Sequence, residues 1–105
     1  MKKYKVKILP QAEYDLASIG DYISNELSNQ LSAQKILSRI LAACNSLSTF
    51  PHRSPVFYEH SNKKLRAIHI KNYTIVYHVD DNSRSVEILA VIYSRRDIEK
   101  LLEGR

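Results

Sequence analysis

The chain has 105 residues, with 16 Lys and Arg against 11 Asp and Glu, for a net charge of +5. That length makes one hydrophobic core feasible and two not, so a single domain over 1–105 is the expectation. The positive balance suits an anionic partner: nucleic acid, an acidic protein or a membrane surface.

Residues 3 to 9 alternate, with Tyr4, Val6 and Ile8 on one side and Lys3, Lys5 and Lys7 on the other. This spacing predicts a half-exposed strand whose lysines discourage edge pairing. Pro10 ends the strand and can open a helix. From Gln11 the period becomes helical: Ala12, Leu16, Ile19, Ile23 and Leu27 form one stripe. The polar residues 28 to 30 break it. A second helical stripe follows through Ala33, Ile36, Leu37, Ile40, Leu41, Cys44 and Leu47, and Phe50-Pro51 stops it. Cys44, the single cysteine, sits in that stripe as a buried, inert thiol, and no intrachain disulfide can form.

Residues 51 to 63 read as a loop or short strand. LRAIHIK (65–71) alternates, a tight Lys71-Asn72 turn follows, and YTIVYHV (73–79) is the next strand. A turn over Asp80 to Ser83 leads to Val86–Tyr93, apolar on both faces except at Glu87, and therefore a central strand. Arg95 to Leu102 predicts a short C-terminal helix. The order is β-α-α-β-β-β-α. Turns too short for parallel crossovers make the last three strands an antiparallel meander. The fold class is α+β, with a helical hairpin on one face of a mostly antiparallel sheet.

No GxGxxG, Walker loop, HExxH or CxxC occurs, so no cofactor is expected. The four histidines lack helical i, i+4 spacing, and no metal site is expected. No run reaches the ~18 apolar residues of a membrane span, and MKKYKVKIL lacks the continuous apolar segment of a signal peptide. A cytoplasmic location with no membrane partner is the expectation.

Between His52 and His78 the basic residues Arg53, Lys63, Lys64, Arg66 and Lys71 are opposed by Glu59 alone, with Tyr58, Tyr73 and Tyr77 interleaved. In the 65–71 strand, Ala67, His69 and Lys71 share a face; Arg66, Ile68 and Ile70 share the other. The isoleucine face suits the helices, which leaves His69 and Lys71 on the open side. Basic groups with tyrosines suit phosphates and stacked bases; a solvated face with cross-strand tyrosine pairs accounts for the same residues. Arg53, Lys63, Lys64, Arg66, Lys71, Arg95 and Arg96 are the candidate target- or nucleic-acid-binding residues. If the protein cleaves RNA without a metal, His69, His78, Tyr93 and Arg95 are the candidates for proton transfer and charge stabilisation. Asp97 falls in the first turn of the last helix, where a carboxylate favours the helix dipole.

LSTFPHRSP (47–55), LRAIHIKNYTIVYHVDD (65–81) and VEILAVIYSRRDIEKLL (86–102), in this order, resemble the RelE/ParE superfamily of bacterial type II toxins. The resemblance implies a small toxin neutralised by a cognate acidic, partly disordered antitoxin. RelE-like members cut mRNA in the ribosomal A site; ParE-like members poison DNA gyrase. The nuclease arginine that follows the tyrosine of the third strand is Thr74 here. The histidine-tyrosine pair of one nuclease branch falls on Ser94 and Arg95, and the late tyrosine of another falls near Leu101. Arg66 and the Arg95-Arg96-Asp97 run look more like the ParE pattern. The reading leans to gyrase inhibition, with a ribosome-dependent mRNA endoribonuclease as the alternative and a non-toxic binding module as the third possibility.

Overall fold

The computed structural model describes residues 3–26 and 30–93. The alternating N-terminus forms β1 (Lys5–Ile8), and α1 (Pro10–Asp21) starts at once, with Pro10 in its first turn. A π-helical turn (Tyr22–Glu26) interrupts the first helical stripe. It is followed by α2 (Gln30–Ser46) and a 3₁₀ turn (Pro51–Arg53). Four strands complete the described chain: β2 (Val56–His60), β3 (Lys63–Ile70), β4 (Tyr73–Asp80) and β5 (Ser85–Tyr93). The stretch read as a loop or short strand therefore holds both a 3₁₀ turn and an additional strand. The expected helix over 95–102 lies outside the described residues.

The sheet order is β1-β5-β4-β3-β2. β2 to β5 form the expected antiparallel meander, and β1 joins β5 in parallel through Lys5↔Ser85 to Ile8↔Ile88. β5 is internal, as its apolar run requires. Hairpin turns are tight. Ser61 and Asn62 both take positive φ between β2 and β3, which matches the right-handed twist of the flanking strands. β1 is short, so the β5 backbone past Ile88 needs another partner. Asp15 of α1 supplies it: the Val91 N–H donates to Asp15 Oδ2 at 3.0 Å.

The main core lies between the helices and the sheet. Ala12, Ile40, Cys44 and Leu47 meet Tyr73, Ile75, Tyr77, Val86, Ile88 and Val91. Gly20 allows the helices to approach, since a Cβ there would stand 3.0 Å from Leu37 Cδ1. Burial pushes the Cys44 thiol up to about 11, consistent with an inert packing residue. A register shift between Val76 and Tyr77 leaves Leu89 extra on β5. On the face away from the helices, Leu65, Val76, Ala90 and Ile92 form a second, smaller apolar cluster. That face is therefore polar only in part.

Tyr77 is fully buried, and its hydroxyl donates to the Pro51 carbonyl at 2.7 Å. Tyr77→Phe removes that donor from a buried acceptor. The expected cost is about 1–2 kcal/mol, read as a lower urea midpoint with an unchanged slope.

Candidate functional site

Strand parity and turn geometry decide where each candidate side chain lies. His69 stands on the face away from the helices, exposed, with Nδ1 3.0 Å from Thr74 Oγ1. His78 shares that face, with Nδ1 3.3 Å from the Lys64 carbonyl. The register places His78 opposite Leu65 and His69 opposite Thr74. Four residues of strand separate the two histidines, about 13 Å at ~3.3 Å per residue. Tyr93 lies on the opposite, helix-bearing side, stacked edge-on to Tyr73 with ring centroids 5.4 Å apart. The candidate proton-transfer groups are therefore divided between two faces of the sheet.

Two candidate arginines are engaged in holding the chain together. Arg53 reaches back to the end of α2, donating to the carbonyls of Ser46 and Thr49 at 3.2 and 3.0 Å and to Ser46 Oγ at 2.6 Å. A cation there satisfies the free carbonyls of a helix C-terminus. Arg66, on the isoleucine face of β3, donates to the carbonyls of His52 and Ser54. Lys63 pairs with Glu87 at 3.5 Å across the far face. Lys64 is exposed on β3. Lys71 stands in the β3–β4 turn with φ of 54°. Arg95 and Arg96 lie outside the described residues.

The expected tyrosine surface is largely turned inward. Tyr73 and Tyr77 are buried on the helix face, because the pairing of Ile68 with Ile75 places them beside the isoleucines of β3. Burial, then the charges of Tyr93 and Tyr22, push the Tyr73 hydroxyl above its ordinary range. Tyr22 and Tyr93 are more than half exposed and form the accessible part of this ring cluster.

A polar network absent from the sequence reading joins three distant segments. The Tyr4 hydroxyl donates to Asp81 Oδ1 at 2.6 Å. His52 Nε2 straddles the same carboxylate, 3.0 Å from Oδ1 and 3.2 Å from Oδ2. The His52 and Tyr4 rings meet edge to face at 5.7 Å, and the Arg84 guanidinium lies 5.9 Å from the Tyr4 ring centre. No local spacing announces this network, since its members lie 29 and 77 residues apart. Among the described residues, no group of three or more His, Cys, Asp or Glu could hold a metal ion, and no helix is long and apolar enough to cross a membrane.

Comparison with known proteins gives a consistent likeness. The family model described as ParE toxin of type II toxin-antitoxin system, parDE, matches residues 6–98. No curated protein matches by sequence. Among solved structures, the chromosomal ParDE system of P. aeruginosa is similar at a TM-score of 0.72 and 16% identity, covering 90% of this chain and 100% of that one. The archaeal RelE-RelB complex of Pyrococcus horikoshii OT3 gives 0.66 and 19%, covering 91% and 99%. The RelBE2 toxin-antitoxin complex of Mycobacterium tuberculosis gives 0.65 and 21%, covering 87% and 98%. At these identities the structural likeness speaks for the fold.

Asp81 gives the network a pH signature. The hydrogen bond from Tyr4, helped by His52 and the charge of Arg66, holds its carboxyl below the usual range. The folded state then binds the proton less readily than the unfolded chain. The resulting stability is complete above the ordinary carboxylate range and is lost as pH falls through the depressed folded value. Asp81→Asn is expected to flatten the acid limb of a stability–pH profile measured by urea unfolding, with little change in the slope near pH 7.

Proposed function

Because this chain belongs to the ParE toxin family of type II toxin-antitoxin systems, we propose that it arrests growth by binding and inhibiting DNA gyrase in the cytoplasm, and that a cognate acidic antitoxin neutralises it. Family membership supports the toxin role. The observation that favours inhibition over RNA cleavage is the division of the candidate catalytic groups. Tyr93 stands with Tyr73 on the helix side, while His69 and His78 stand about 13 Å apart on the other. General acid–base catalysis needs its groups within hydrogen-bond reach of one reacting centre. A binding inhibitor carries no such requirement, and Thr74 in place of the nuclease arginine agrees with that reading.

Growth should stop on induction of the chain without its antitoxin. Purified protein at micromolar concentration should inhibit gyrase supercoiling. Primer extension on mRNA from arrested cells should show no new 5′ ends within codons. Cleaved mRNA with unaffected supercoiling would transfer the assignment to a ribosome-dependent endoribonuclease. Normal growth on induction would leave the binding module. The net charge of +5 also predicts salt-sensitive capture of the antitoxin: calorimetry between 50 and 500 mM salt should show affinity falling as salt rises.

A further inference from the structure

Three cations of the described chain near the sheet are held by acceptors. Lys63 pairs with Glu87. Arg53 and Arg66 are held on backbone carbonyls. One concave region differs. A groove of about 480 Å³ between α2 and the β3–β4 turn is lined by Leu31, Gln34, Lys35, Ser38, Arg39 and Lys71, among others, and no acidic residue lines it. Lys35 and Arg39 lie one helical turn apart, a spacing at which like charges repel. Lys71 adds a third cation to the same groove. None of the three has an ion-pair partner among the described residues.

The backbone at Lys71 points the same way. Ile70 pairs with Tyr73, so Lys71 and Asn72 form a two-residue hairpin loop. Positive φ at the first loop position alone is the geometry that favours glycine. A lysine there places charge at the groove at a conformational cost. Gln34 and Ser38 add neutral hydrogen-bonding groups between the cations. No aromatic ring lines the groove. Single strands are held by rings on which bases stack; a duplex has its bases already stacked and turns its phosphates outward, so a cationic groove without rings suits it.

We propose that the Lys35–Arg39–Lys71 groove binds the phosphodiester backbone of duplex DNA. The cations meet successive phosphates while Gln34 and Ser38 complete their hydrogen bonding, and no base is read. This goes beyond gyrase inhibition and stands without it, because the contact is made to DNA alone.

Fluorescence anisotropy of the full chain with a fluorescein-labelled duplex of mixed sequence, in the absence of gyrase, tests the site. Three phosphate contacts give a slope of log affinity against log salt of about −2.7, or roughly 40-fold weaker binding at 200 than at 50 mM. The variant Lys35→Gln/Arg39→Gln/Lys71→Gln should bind at least about tenfold more weakly, with most of that slope gone. Lys3→Gln/Lys5→Gln/Lys7→Gln removes the same charge from the N-terminal strand and should stay within about threefold of the parent. Circular dichroism checks the fold of both. If the groove variant unfolds, Lys71→Gln alone should lower the slope by about 0.9. Equal losses in the two triple variants would overturn the site, as would absence of duplex binding at 50 mM. Tighter binding of a single-stranded or RNA oligonucleotide would do the same. So would loss of poly-glutamate binding in the groove variant with duplex binding unchanged, which would identify an acidic protein as the occupant.

Discussion

The segment between α2 and β2 depends on backbone carbonyls captured from the sheet and from its own side chains. The buried Tyr77 hydroxyl takes Pro51; Arg66 takes His52 and Ser54; Arg53 turns back onto Ser46 and Thr49. Phe50 takes a left-handed backbone conformation at the exit of the helix, an unusual state for a bulky residue. It persists because its neighbours on both sides are tied down. This segment fixes how the chain leaves the helical layer and enters the sheet. It also sets His52 against Asp81, so the polar network depends on it in turn.

Charge is distributed by the same logic. Lys63, Arg53 and Arg66 are matched locally, by Glu87 or by backbone carbonyls. Three cations with no ion-pair partner among the described residues, Lys35, Arg39 and Lys71, line one groove beside α2. The net charge of +5 is therefore not a uniform property of the surface.

Sequence periodicity conveyed much of this. Alternation in 65–71 correctly separated His69 from Arg66, because only one face of β3 carries both isoleucines. The parity of β4 was less legible. Tyr73, Ile75, Tyr77 and Val79 alternate with Thr74, Val76 and His78, and both sets contain apolar residues. The cross-strand pairing Ile68↔Ile75 decides which set meets the helices, and pairing is not local information. β2 was legible only as one of two alternatives, loop or short strand, because it is mostly exposed and VFYEH shows no one-sided pattern. Arg53 and Arg66 looked free because, Ser46 Oγ apart, their acceptors are backbone carbonyls, and nothing in the residue string marks a carbonyl as available. The pair Lys35 and Arg39 was visible at i, i+4, but Lys71 joins it only through the fold.

The parallel pairing of β1 with β5 has a consequence for synthesis. Lys5 meets Ser85 and Ile8 meets Ile88, so the first strand waits for almost the last one described here. Contacts of such sequence separation close late. Val91 must also emerge before Asp15 can engage its backbone. A nascent chain on the ribosome can form its helical hairpin and the β2–β4 meander, but it has no finished sheet until β5 has been translated. Premature termination before Ser85 would leave β1 without its partner and β4 without a neighbour on one side.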